Sequence, residues 1–238
     1  FAGGGQNKQT EMEFNVLTRI VQEGAAAGYC HLHITGGEPM LYRHLFEALD
    51  HAVEAGYKTI LLNTNGILLT EQSCEQFAKY PGLTITISLE GSKALHDRLR
   101  GKGSYRKVLK GLAIGLAGGL DIIIFSLACK SLLQDLPQFT ERLFSDYSGI
   151  QYLALSRLLE SASGHHLVKN EFLSPKDFLN IVKTVSLLNL YGSPTAFIDE
   201  ALTNVIGDML NLSGIPRSRA LHCRGNLMVL ADLTLSLS

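Results

Sequence analysis

The chain has 238 residues, 46% of them hydrophobic and only 18% charged, with a formal net charge of −1 and a mean hydropathy of +0.14. That is enough apolar material to bury a core in one domain of ordinary or large size, and the near-neutral balance excludes generic binding to nucleic acid. No apolar run reaches the roughly 18 residues of a membrane span, because Gly118-Gly119 and Asp121 break the stretch from Gly111 to Leu127.

Apolar runs suited to buried strands occur at Tyr29–Ile34, Lys58–Leu62, Leu83–Leu89, Asp121–Leu127 and Ile150–Leu155, each followed by a segment with helical spacing. After the first, Leu41, Leu45, Leu49 and Val53 recur at helical intervals, and Gly56 stops the helix. After the second, Thr70 is the predicted N-cap of a helix carrying Cys74, Phe77 and Ala78. The third is followed by a polar loop and then by Tyr105, Val108, Leu112 and Leu116, the fourth by a segment with Phe139 and Leu143. Ser174-Pro175 predicts the start of a helix presenting Phe178, Ile181, Val182 and Val185, and a further amphipathic helix holds Leu202, Val205, Ile206 and Met209. Buried strands alternating with helices give an α/β fold with a parallel sheet whose functional loops lie at the strands' C-terminal ends. Periodicity alone leaves an open sheet and an incomplete barrel both possible.

The first strand runs into Thr35-Gly36-Gly37-Glu38-Pro39. Glycines let a backbone approach a ligand, Glu38 adds an acceptor for a cation, and Pro39 fixes the exit, so the loop predicts a site for a small positive group. Three more strand-end motifs follow on successive units: Asn63-Thr64-Asn65-Gly66, Ser88-Leu89-Glu90-Gly91 and His96-Asp97-Arg98-Leu99-Arg100-Gly101. In this order and spacing the four motifs resemble those of radical S-adenosylmethionine (radical SAM) enzymes, over about Phe1 to Glu160.

The resemblance implies a partial (β/α)6 TIM-like barrel spanning residues 1–215, with its first strand and cluster loop outside the sequence. S-Adenosylmethionine would be the cofactor, its ammonium received by Gly36, Gly37 and Glu38 beside Pro39. Asn63, Thr64 and Asn65 would border the cavity, and Ser88 and Arg100, the latter in a loop, would meet the carboxylate or ribose. Ser126 would offer a polar group at the next strand end and Leu155 would lie near adenine. Arg98 reads as a surface residue. The reaction implied is reductive cleavage to a 5′-deoxyadenosyl radical that abstracts hydrogen from a peptide, a protein side chain or a tetrapyrrole precursor. An electron donor such as flavodoxin or ferredoxin would serve it, with no nucleic acid or membrane partner. The alternative is a non-catalytic scaffold or cofactor-binding protein that has lost its cluster.

The family's CxxxCxxC triplet for the 4Fe-4S cluster is absent. Phe1-Ala2-Gly3-Gly4-Gly5 has no initiator methionine or leader pattern and looks like the continuation of that loop, placing the triplet upstream. Cys30, Cys74, Cys129 and Cys223 are too dispersed for a metal knuckle and too few for a disulfide framework, which predicts a reducing, cytoplasmic setting with the first three as buried thiols. Residues 216–238, with Cys223 ahead of an apolar hairpin-like segment, are similar to the start of a SPASM or twitch extension, which implies Cys223 as a ligand of an auxiliary iron–sulfur cluster. His31 and His33 share a strand face without a carboxylate or thiol partner, and His165-His166 read as solvated. A barrel lyase or aldolase would need a strand-end lysine, for which Lys130 is the one candidate.

Overall fold

A computed structural model describes residues 11–158, 169–192, 196–198, 201–215, 227–229 and 235–237. The five apolar runs become β1 (His31–Ile34), β2 (Thr59–Thr64), β3 (Leu83–Ser88), β4 (Ile122–Ala128) and β5 (Ile150–Arg157), and Ala196–Ile198 adds β6. All six pair in parallel, in the order in which they occur along the chain. A doubly wound sheet reverses its strand order part-way and places helices on both faces. Here the order never reverses, so right-handed crossovers put every connecting helix on the same face, as in a barrel.

Burial follows that division. Ile60, Leu62, Ile85, Ile87, Ile122, Ile124, Leu153, Leu155, Ala196 and Ile198 alternate along the strands and are at most 2% exposed beneath the helices. Leu61, Asn63, Thr84, Ser88, Phe125, Leu127, Tyr152, Ser156 and Phe197 occupy the intervening positions and are only half-buried. The second set forms the barrel's inner face, mostly polar on β2 and β3 (Asn63, Thr84, Ser88) and mostly apolar or aromatic on β4 to β6, where Ser156 is the polar member of the set.

The helices are α1 (Phe14–Ala26), α2 (Leu45–Glu54), α3 (Glu71–Phe77), α4 (Lys93–Arg100), α5 (Ser104–Ala117), α6 (Lys130–Asp146), α7 (Pro175–Tyr191) and α8 (Ala201–Met209). Thr70 caps α3 in a reciprocal capping box with Ser73, and Ser174 does the same for α7 with Asp177. Gly56, at φ 94°, follows the end of α2 as expected.

Three sequence expectations are corrected. Leu41 is not helical core: Pro39–Leu41 is a separate 3-10 turn that leaves Leu41 71% exposed, and α2 buries Leu45, Ala48, Leu49 and Ala52 instead. The predicted polar loop after β3 contains α4, capped by Ser92 and ended by Gly101, so Arg100 lies in the last turn of a helix. β5 extends past Leu155 to Arg157 and is followed by β6, which at three residues is too short to show a period. Leu227–Val229 (β7) and Leu235–Leu237 (β8) pair antiparallel as a separate two-stranded sheet.

Candidate functional site

The C-terminal ends of β1, β2 and β3 bring three of the four motifs together. Gly36 has φ 147°, and a Cβ built on Gly36 or Gly37 would meet nothing within 4 Å. The loop therefore presents bare, exposed backbone. Its next residue is tied down: the Glu38 carboxylate accepts from Met40 N (3.1 Å) and Thr64 Oγ1 (2.6 Å) through Oε1, and from Asn65 N (2.8 Å) through Oε2. A carboxylate has about four acceptor positions. Glu38 thus clamps the β1 loop to the β2 loop and keeps one acceptor position, on Oε2, for a further donor.

The amide oxygen of Asn65 is already engaged in this arrangement. It accepts from Ile67 N (2.9 Å), closing a turn in which Gly66 takes φ 73°. Asn63 differs: its Oδ1 is buried without a partner among the described residues, and so is Thr86 Oγ1 on the paired position of β3. Two orphaned polar atoms side by side on the inner face are what a site for a polar ligand requires, since leaving each unpaired costs about 1–3 kcal/mol.

Beyond Ser88 the chain folds against β4. Ser126 and its neighbours Ile124 and Ala128 face the helices; Ser126 is fully buried and its hydroxyl donates to Leu89 O. The expectation that Ser126 lines the cofactor cavity is therefore corrected, because the bond fixing the β3 loop consumes its donor. Leu155 likewise lies on the helix-covered face, among core leucines and isoleucines. Glu90, fully buried, takes Arg100 Nε (3.0 Å) and a terminal nitrogen (2.6 Å) on Oε1 and Leu127 N (2.7 Å) on Oε2.

Arg98 is exposed, as expected of a surface residue, yet it is anchored. It pairs with Glu171, which is 6% exposed, and donates to Ser131 Oγ (3.0 Å). Glu171 also accepts from Ser131 N (2.9 Å) in the first turn of α6, a favourable place for negative charge. Burial opposes ionisation of Glu171, but the Ser131 bonds and Arg98 outweigh it and hold the carboxyl below its usual range. The same burial pushes the Cys129 thiol up to about 12, so Cys129 is an inert core thiol. Cys74 is buried as expected, whereas Cys30 is only half-buried.

Sequence reasoning missed His96. It is 1% exposed, its Nδ1 accepts from Glu90 N (3.1 Å), and its ring meets Tyr105 edge-on at 5.7 Å. Burial pushes its pKa down to about 4, aided by Arg100 and opposed by Asp97. The folded state favours the neutral ring, so below about 6.5 the unfolded chain binds a proton that the folded chain refuses until pH approaches 4. His96 thus adds no pH-dependent cost above pH 6.5 and removes roughly 3 kcal/mol of stability as pH falls to 4. Urea midpoints measured from pH 7 to 4.5 are expected to fall more steeply for the wild type than for His96→Asn; parallel curves would refute this assignment.

His31 Nδ1 bonds Thr59 Oγ1, and no group of three or more His, Cys, Asp or Glu suited to a metal exists among the described residues. Lys130, two residues past the end of β4, is the exposed first residue of α6. Cys223 and His165-His166 lie outside the described residues. No helix of the described residues is long and apolar enough to cross a membrane.

The profile of the Radical SAM superfamily matches residues 2–128, more than half of the chain and all four motifs. The chain belongs to the radical SAM superfamily. Among curated radical SAM relatives, mycofactocin maturase MftC of Mycolicibacterium smegmatis is 26% identical over 165 residues, covering 68% of this chain and 41% of that protein. PqqA peptide cyclase of Ruegeria pomeroyi is 32% identical over 136 residues, covering 56% and 36%. The chain spans less than half the length of these relatives. The fold is that of solved radical SAM structures: native anSMEcpe with bound AdoMet has a TM-score of 0.67 at 19% identity, over 90% of this chain and 62% of that one. Streptococcus suis SuiB bound to its precursor peptide SuiA has a TM-score of 0.65 at 16% identity, over 87% and 46%.

Proposed function

We propose that this chain carries the S-adenosylmethionine-binding part of a radical SAM enzyme acting on a peptide. The observation that carries the reading is the Glu38 clamp, with its remaining acceptor position beside the bare Gly36-Gly37 backbone. A methionyl ammonium has three donors and suits exposed carbonyls plus a carboxylate oxygen. Asn63, with its orphaned Oδ1, offers an acceptor to the cofactor's polar groups, and Ser88 and Arg100 take its carboxylate or ribose. Arg100 reaches that position already paired with Glu90, which fixes its direction and tempers its charge.

When bound against a reduced 4Fe-4S cluster, S-adenosylmethionine supplies hydrogen-atom abstraction through its 5′-deoxyadenosyl group. Cys74 and Cys129 are core thiols and Cys30 precedes β1, away from the strands' C-terminal ends, so these three do not form the thiolate set of that cluster. The protein's share of the work is to orient the cofactor and to keep water from the inner face, where Phe125, Leu127 and Phe197 are apolar. A peptide substrate is supported by the names of the relatives, a PqqA peptide cyclase and a mycofactocin maturase among them, and by solved relatives holding peptides. Residues 216–238 are read as the start of a C-terminal extension, with Cys223 as a ligand of an auxiliary cluster. A flavodoxin or ferredoxin is the class of electron donor proposed.

Anaerobic reconstitution of the full-length protein, reduction and incubation with S-adenosylmethionine is expected to yield 5′-deoxyadenosine. Glu38→Ala is expected to weaken cofactor binding ~10–100-fold, the range for a hydrogen bond to a charged group. Binding without 5′-deoxyadenosine would favour a non-catalytic binder. Unchanged affinity in Glu38→Ala, with its fold intact, would sink the assignment of the site.

A further inference from the structure

We infer that His96 is a positioning residue for the cofactor's carboxylate subsite, acting through Glu90 on Arg100; this rests on the function proposed above. Between Ser88 and the start of α4 at Lys93, the Leu89 N–H bond to Phe125 O extends the β3–β4 pairing by one residue, and from Glu90 to Ser92 side chains hold the chain. Ser126 fixes Leu89 O, Leu127 N fixes Glu90 Oε2, and His96 Nδ1 takes the Glu90 N–H. The last bond sets the orientation of the Glu90 peptide, and with it the direction in which the carboxylate leaves the backbone. That carboxylate in turn holds Arg100 through two of its nitrogens.

The residue type matters. A ring that accepts on Nδ1 carries its proton on Nε2 and is neutral, as a position 1% exposed favours, although that Nε2 is buried without a partner among the described residues. Leucine would fill much of the same space but leave the Glu90 N–H unpaired next to a fully buried carboxylate, and the peptide would turn to find another acceptor. Arg100 would then lose its aim. Tyr105, edge-on to the ring, keeps His96 in place from α5.

A structural residue and a positioning residue separate when the ligand's carboxylate is removed. Dissociation constants of S-adenosylmethionine and of decarboxylated S-adenosylmethionine are to be measured by anaerobic equilibrium dialysis on the reconstituted full-length protein. His96→Leu is expected to raise the constant for S-adenosylmethionine ~10-fold, the equivalent of one lost hydrogen bond, with the decarboxylated ligand unaffected. His96→Asn, whose amide oxygen stands where Nδ1 stood, is expected to restore wild-type affinity, and His96→Gln, whose amide reaches toward Nε2, is not. Should His96→Leu fail to fold, the Asn and Gln pair carries the same comparison. Equal weakening of both ligands, or no difference between Asn and Gln, overturns the inference. Failure of the wild type to bind S-adenosylmethionine overturns the proposed function itself.

Discussion

Glu90→Ala is expected to destabilise the protein by roughly 3–5 kcal/mol, the cost of removing one partner from a buried ion pair. The Glu90 side chain is 0% exposed and that of Arg100 21%, so the guanidinium left behind is only partly reached by water. The same change strips Leu127 N of its acceptor at the end of β4. Arg100→Met in the Glu90→Ala background is expected to recover part of the loss, because the guanidinium that has lost the Glu90 carboxylate disappears with it. Urea denaturation of the two single variants and the double variant tests this directly. A single-variant loss below about 1 kcal/mol, the level of an exposed pair, would show that the pair contributes no more than a surface salt bridge.

Gly111→Ala is expected to be equally damaging for a different reason. A Cβ on Gly111 would stand 1.8 Å from the carbonyl oxygen of Gly66 and 2.9 Å from its carbon, and both are backbone atoms that cannot swing aside. Helix α5 would have to back away from the sheet, or the Asn65-Gly66 turn would have to move. Overpacking of this kind costs about 3 kcal/mol or more, which for a domain of this size lowers the melting temperature by roughly 6–12 °C. The turn also carries Asn65 N onto Glu38, so the damage reaches the proposed ammonium site. Gly37→Ala is the control: its Cβ would meet nothing within 4 Å and its melting temperature is expected to be unchanged. Equal melting temperatures for Gly111→Ala and the wild type would mean that the close contact relaxes at little cost.

The strands were legible because both-sided burial leaves long β-branched runs such as Ile122-Ile123-Ile124, and Thr70 and Ser174 announced their helices by capping chemistry. α4 was not legible. Lys93 to Arg100 offers Ala94, Leu95, His96 and Leu99 as its only apolar or aromatic positions, too few for a period, and its stability comes from packing on its neighbours. At the site, Glu38 stood out as an acceptor, but its three donors come partly from β2, and no local pattern reveals a partner 26 or 27 residues away. Ser126 failed for a simpler cause: a strand-end serine can face either side, and the alternation of Ile122, Ile124 and Ala128 puts it under the helices. Arg98 is at the surface as expected, but its pairing was not foreseen because Glu171 lies 73 residues on.

The unreversed strand order has a consequence for descent as well as for chemistry. Each strand pairs only with its immediate predecessor and successor in the chain, so a strand, its helix and its rim loop behave as one unit that can be lengthened or rewritten without re-threading the rest. The first three units hold the motifs assigned to the cofactor. The later ones carry none of these motifs on inner faces that include Phe125, Leu127 and Phe197 and are free to diverge, and the relatives share only about a quarter to a third of their residues with this chain over the matched length.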